Sequence, residues 1–328
     1  MTKVQELRGS AKLNLCYLYR ILTSNADLWQ LFRRLLFPFS STLPRLHSPP
    51  CCSHSGANFI FAMLRVALVD MYNGETNRGI PMLHHILGQY ADVLVYDHFD
   101  VRAKNEVPNT SYDIYLFSGG PGDPLLNDGP WYPRFHALIQ ALWDWNNGQE
   151  EPKKQCFFIC HSFQMACHHF GLGTVTERYK MSFGTYPVHK THWGKEEPTF
   201  EGLPEPFYIA DFRRYQVVQP NQERIKAMGA HILCLEKLRP HVHYERAIMA
   251  MRFSPWMVGT QFHPEANPEG LLAYFLEDER KKSIVDEHGE ARYERMIHDL
   301  TNPMKIRRTF DTIIPAFLEH AIGALSLA

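Results

Sequence analysis

The sequence predicts an α/β fold: a mostly parallel sheet covered on both faces by helices, with an antiparallel excursion and extra C-terminal helices. Three observations carry this expectation. From Leu64 to Phe170, apolar runs of strand length alternate with stretches of helical periodicity. These strands are continuously apolar rather than alternating, as strands buried on both faces are. From Thr174 to Glu265, short strand-like runs follow one another with little helix between them, the pattern of antiparallel pairing.

Leu64–Asp70, rich in Val and Leu, is the first strand and is bounded by the turn pair Asn73-Gly74. Gly79–Tyr90 reads as a helix with Ile80, Leu83, Ile86 and Leu87 on one face. Val93–Asp97 and Asp113–Ser118 are the next strands, the second ending in a Gly-Gly-Pro-Gly turn. Pro133–Asn146 is a helix that aligns Phe135, Leu138, Ile139 and Leu142. Cys156–Cys160 is a wholly apolar strand, and the helix from Ser162 to Phe170 is stopped by Gly171. The excursion holds short strands at Tyr186–Lys190, Phe207–Ala210, Ile232–Glu236 and Ala247–Phe253, after which Met257–Phe262 returns to the main sheet. Beyond Pro268 the chain is helical again. Glu277–Arg295, dense in both charge signs, reads as a solvated helix or loop, whereas Phe310, Ile313, Ile314, Phe317, Leu318 and Ala321 form one buried helical face.

Residues 63–275 are therefore expected as the folded domain, with 276–328 as a helical extension packed on it. Residues 1–62 differ in composition: seven Lys and Arg stand against two Asp and Glu, with Ser, Pro and a Cys51-Cys52 pair. Arg20 and Arg33-Arg34 break the apolar runs, so no signal-peptide core is present. The segment reads as a poorly structured extension; its acid-poor, Arg-bearing character also fits a mitochondrial-type presequence. Met63 directly precedes the first strand and reads as an alternative start.

Among 328 residues, 45% are hydrophobic and 21% charged, and the net charge is −1. That balance argues against a nucleic-acid partner, and no run of about 18 apolar residues argues for a membrane span. Seven scattered cysteines, an odd number, indicate a reducing, cytoplasmic setting without a disulfide framework. Eighteen histidines raise the question of a metal. His168 and His169 are adjacent and diverge on a helix, and His241-x-His243 has no partner set at zinc spacing, so neither metal nor other cofactor is expected.

The chemistry concentrates at strand ends. Cys160 stands where a buried strand turns into a helix, the geometry of a nucleophile on an elbow at the carboxyl edge of the sheet. The helix N-terminus would lower the thiol pKa and offer N–H donors. Alone, such a cysteine reads as a small buried hydrophobe; its neighbours reverse that. His263 follows the Met257–Phe262 strand as a base, and Glu265 could hold its second nitrogen. Ser118-Gly119-Gly120-Pro121-Gly122-Asp123-Pro124 has the composition of a tight turn. Its glycines would also let backbone N–H groups face a developing negative charge. It is neither a Walker loop nor a dinucleotide fingerprint.

This ordered set resembles the class I (triad) glutamine amidotransferases. The resemblance runs from about Leu64 to Phe275. It rests on Gly119-Gly120-Pro121-Gly122, Cys160 with Gln164, Ser182-Phe183-Gly184 with Val188, and Gln261-Phe262-His263-Pro264-Glu265. Met181–Glu265 looks most like the glutaminase domain of GMP synthase. The resemblance implies a flavodoxin-like, doubly wound sheet and attack by Cys160 on the amide of glutamine or of a γ-glutamyl compound. It also implies a glutamyl thioester, oxyanion donors at the N–H groups of Gly120 and His161, and Gln164 helping to hold substrate. A separate ammonia-accepting synthetase subunit is the implied partner, because no synthetase segment is attached.

The chain departs from the family pattern in two places. Phe158 and Ser162 stand where the elbow usually carries glycines, and Phe163 replaces a histidine. Phe158 therefore requires a compensating space. Asp211-Phe212-Arg213-Arg214 aligns with the Ser-His pair that usually meets the substrate's amino-acid end. Two further readings follow: acyl transfer or hydrolysis on another amino-acid derivative by the same thioester chemistry, and a non-catalytic regulatory relative that keeps the fold.

Overall fold

The computed structural model describes residues 63–238 and 245–326. The expectations for residues 1–62 and for His241 and His243 lie outside the described residues. The first four strands are β1 (Leu64–Asp70), β2 (Leu94–Asp100), β3 (Ile114–Phe117) and β4 (Gln155–Ile159). Helices α1 (Gly79–Gly88), α2 (Val101–Lys104), α3 (Trp131–Asn147) and α4 (His161–His169) alternate with them. The excursion comprises β5 (Thr174–Lys190), α5 (His192–Glu196), a 3-10 turn at Pro198–Phe200, β6 (Phe207–Val218), α6 (Gln222–Met228), β7 (His231–Glu236) and β8 (Ile248–Ser254). The chain then runs through β9 (Met257–Thr260), α7 (Pro268–Phe275), α8 (Asp278–His288), α9 (Glu290–Thr301) and α10 (Ile306–Leu325).

The strands make one sheet in the order β2-β1-β3-β4-β9-β8-β7-β5-β6. The pairs β1–β2, β1–β3, β3–β4 and β4–β9 are parallel, and the remaining four pairs are antiparallel. Strand order reverses between β1 and β3, so the chain leaves these neighbours in opposite directions and opens a crevice beyond their carboxyl ends.

Both faces of β1, β3, β4 and β9 are covered, which explains their apolar runs, whereas β2 at the sheet edge is largely exposed. One face packs Leu68, Leu116 and Phe157 against Leu83 and Ile86 of α1 and against Phe310, Ile313 and Phe317 of α10. The other packs Val69, Phe117 and Phe158 against Phe135 and Ile139 of α3 and Phe163 of α4.

Several boundaries differ from expectation. β5 and β6 are 17 and 12 residues long rather than short strands, and they pair from Thr174↔Val218 to Val188↔Phe207 around a bulge between Glu177 and Ser182. The bulge between the two paired halves carries exposed Tyr179, Lys180 and Met181, which hides the ribbon from a hydrophobicity reading. Glu277–Arg295, read as a solvated helix or loop, is helical and mostly exposed, as α8 with the first half of α9. Ile284, Tyr293 and Met296 are buried there with Phe275, because one side of each charged helix carries the few apolar residues.

Candidate active site

Cys160 lies between β4 and α4 with φ 48° and ψ −98°, a conformation that a side-chain-bearing residue adopts only when its surroundings impose it. They do. The Ser162 hydroxyl accepts from the Ile159 N–H at 2.9 Å and lies 3.1 Å from the Phe117 carbonyl and 3.0 Å from that of Ile159, tying the elbow to β3. A hydroxyl thus does holding work where the family has glycine.

The space for Phe158 comes from the neighbouring strand. Phe158 is in register with Gly259 of β9, where a Cβ would meet the Phe158 Cβ at 3.0 Å and the Phe163 ring at 2.9 Å. The Phe158 ring is fully buried and stacks on Phe117 with centroids 4.6 Å apart.

His263 follows β9 and meets Cys160 across the crevice. Its Nδ1 lies 2.7 Å from Glu265 Oε1, and Cys160 is close enough to act on the ring electrostatically. Burial alone would depress this imidazole; the Glu265 carboxylate and the Cys160 sulfur outweigh it and hold the His263 pKa well above the usual histidine range. Gly119 is the floor for this ring, since a Cβ there would sit 2.7 Å from His263 Cε1 and 3.5 Å from Cys160 Cβ. Gly120 is pressed on the chain after β1: a Cβ would meet the Met71 carbonyl oxygen at 2.2 Å.

His161 begins α4 and is buried. Burial first, and the Arg102 cation second, lower its pKa to about 3, so the side chain is neutral. Gln164 lines the cleft, but its amide nitrogen already donates to the Tyr215 carbonyl at 3.0 Å and to Gln261 Oε1 at 3.1 Å. The structure therefore brings Cys160, His263, Glu265, Gly120 and Gln164 to one crevice, with Gly119 packed on His263 and Cys160. His161, next to Cys160, is buried and does not line it.

Two neighbours had no role assigned from sequence. Gln261, held by Gln164, points its Nε2 at the Cys160 sulfur at 3.7 Å; its signal was the strand-end position two residues before His263. Tyr72, just past β1, stands at the topological switch point and is kept protonated by burial, then by Glu265, Cys160 and Asp70. The cleft measures about 780 Å³ and includes Tyr72, Gly120, Cys160, Gln164, Phe212 and His263 in its wall.

Asp211 and Arg213 are buried and paired, with Arg213 at the cleft wall. The Asp211 carboxylate accepts from Ser182 Oγ at 2.6 Å and from Arg213 Nε at 3.0 Å, and Arg213 Nη2 lies 3.4 Å from Glu236. Phe212, Arg214 and Tyr215 contribute to the cleft wall instead of a Ser-His pair. Among the described residues no three His, Cys, Asp or Glu side chains converge as metal ligands, and no helix is long and apolar enough to cross a membrane. His169 pairs with His136, Nδ1 to Nδ1 at 3.0 Å.

A mostly parallel α/β sheet with a cysteine elbow opposite a Gly-Gly-Pro-Gly turn defines the class of protein. This chain belongs to the glutamine amidotransferase class-I family, whose model matches residues 68–282. It is 27% identical over 192 residues to the GMP synthase [glutamine-hydrolyzing] of Thermosipho africanus (strain TCF52B), a match covering 58% of this chain and 31% of that one. In fold it is similar to a glutamine amidotransferase from Thermotoga maritima, with TM-score 0.57, 15% identity and coverage of 79% and 98% of the two chains. It is also similar to the structure of SMU.1228c, with TM-score 0.56, 16% identity and coverage of 79% and 99%.

Proposed function

We propose that this chain hydrolyses the side-chain amide of glutamine, or the γ-amide of a γ-glutamyl compound, through a Cys160 thioester. One observation carries the reading: the strained Cys160 elbow shares a cleft with His263, whose Nδ1 is 2.7 Å from Glu265. His263 takes the thiol proton, and Cys160 Sγ attacks the amide carbon. The backbone N–H groups of Gly120 and His161 meet the oxyanion. Collapse breaks the C–N bond, His263 returns the proton to the departing ammonia or amine, and water then releases glutamate from the thioester. Glu265 orients the imidazole and stabilises its cation.

Family membership and the likeness to a glutamine-hydrolysing GMP synthase support glutamine as substrate. The likeness to a glutamine-hydrolysing GMP synthase, of which the match spans 31%, supports a synthetase as the proposed ammonia acceptor. A cytoplasmic setting would keep the free thiols of Cys156, Cys160, Cys167 and Cys234 reduced.

The test is release of ammonia and glutamate from glutamine by the purified chain. Cys160→Ala should abolish it, and His263→Ala should cost about 10²–10⁴-fold. Full amidase activity in Cys160→Ala would refute the mechanism. The second reading, an amino-acid derivative other than free glutamine, is favoured by Phe212, Arg214 and Tyr215 in the cleft wall. A panel of γ-glutamyl amides assayed beside glutamine separates the two, and turnover of none would favour the non-catalytic relative.

A further inference from the structure

We infer, taking the amide hydrolysis proposed above as the reaction, that Arg102 is a positioning residue for the oxyanion site: its guanidinium clamps the Gly119–Gly122 turn to the chain leaving β1. Arg102 sits on α2, one short turn capped by the Asp100 side chain and ended by Asn105 at φ 57°. Its side chain is only 6% exposed. Nη1 donates to the Pro121 carbonyl at 2.6 Å and to the Met71 carbonyl at 3.3 Å. One nitrogen therefore bridges the two segments whose spacing sets where the Gly120 N–H points.

The other side of the turn is held by Ser118. Its hydroxyl accepts from the Met71 N–H at 2.9 Å and donates to the Gly119 carbonyl at 2.8 Å. Between these clamps Gly120 is pressed on the Met71 carbonyl, where even a Cβ would not fit. Three glycines in four residues leave the turn almost no side chain with which to pack. Hydrogen bonds from outside must therefore fix it.

The guanidinium is itself held. Nη2 lies 3.6 Å from Asp128 Oδ2, and the Cζ lies 5.2 Å from the Trp131 ring centroid. The Trp131 indole N–H donates to Asp128 Oδ1 at 2.9 Å, which closes the set. A planar fork is suited to two carbonyls and an aromatic face at once; an ammonium is not. The cation also lies close enough to His161 to act on its imidazole.

The experiment compares wild type with Arg102→Met and Arg102→Lys in the full chain. Three readouts are taken: kcat and KM for the amide, the rate of Cys160 alkylation by iodoacetamide, and amide hydrogen exchange across residues 118–123. Alkylation is a displacement at carbon that forms no oxyanion, so it reads the thiol alone. For Arg102→Met we expect kcat to fall about 10- to 100-fold, as displacement or loss of an oxyanion donor does, with KM within about threefold. Alkylation should stay within about twofold while exchange in the turn accelerates; Arg102→Lys should fall between. Equal losses in alkylation and kcat would assign Arg102 a general structural role and overturn the inference. So would unchanged turn exchange, which needs no turnover and is independent of whether the proposed reaction is correct. Thermal unfolding checks the fold, and if Arg102→Met does not fold, Arg102→Lys is held to the same two criteria.

Discussion

Phe158 replaces a family glycine beside the nucleophile and is accommodated because its partner across β4 and β9 is Gly259. Returning Phe158 to glycine would restore the family pattern yet leave Phe117, Phe163 and Phe253 facing a void. Phe158→Gly should therefore lower stability by about 3–5 kcal/mol, the cost of truncating a buried Phe, measured by urea unfolding. An equally stable variant with higher amidase activity would instead mean that the altered elbow restrains the enzyme. The His263–Glu265 pair gives a pH prediction. The folded-state pKa of His263 lies above its unfolded value of about 6.5, so its stabilising contribution is fully present below that pH. It is lost as pH rises through the raised folded value. The stability difference between wild type and Glu265→Gln should thus shrink as pH increases from about 6.5 upward. A difference that grows with pH would contradict the charged pairing.

At the scale of elements, β6 shows how one strand serves core and cleft together. Asp211 and Arg213 are buried there, while Phe212, Arg213, Arg214 and Tyr215 all contribute to the cleft wall. The buried pair belongs to a chain of charges running from Ser182 through Asp211, Arg213 and Glu236 to Arg178. Removing one member leaves the rest in a low-dielectric site. Asp211→Ala should cost about 3–5 kcal/mol, because the buried guanidinium of Arg213 would be left with Glu236 alone. Arg214→Ala, whose bond to Glu177 at 2.5 Å is made in solvent, should leave the unfolding midpoint nearly unchanged. Parallel denaturation curves for the two variants test both statements; similar losses would refute the distinction between the two pairs.

Across the described fold, the crevice exists because helices on both faces hold β1, β3, β4 and β9 in line. α10 is far along the chain from the cysteine, yet Phe317 packs on Phe157, two residues before the strand's end, with ring centroids 5.1 Å apart. Phe317→Ala should accordingly destabilise by about 3–5 kcal/mol and, at temperatures below unfolding, leave Cys160 alkylation nearly unchanged. Loss of alkylation without loss of stability would place α10 in control of the elbow itself.

The local alternation of strand and helix, the glycine turn and the order of Cys160, His263 and Glu265 were all legible in the sequence. Each depends on near neighbours: apolar runs long enough to be buried, and residue types tied to strand ends. The long β5–β6 ribbon was not, because exposed residues at its bulge interrupt the hydrophobic pattern. Nor were the burial of one side of α8 and α9, where a few apolar residues among many charges suffice, or the proximity of Gln261, Tyr72 and Arg102 to the site. Those residues are remote in sequence and meet only where parallel strands end together at a switch point. Sequence by itself determined the fold class and the order of Cys160, His263 and Glu265 at strand ends. Tertiary structure decided which side chains surround them, because side-chain contacts across a sheet depend on strand order, and strand order is not a local property.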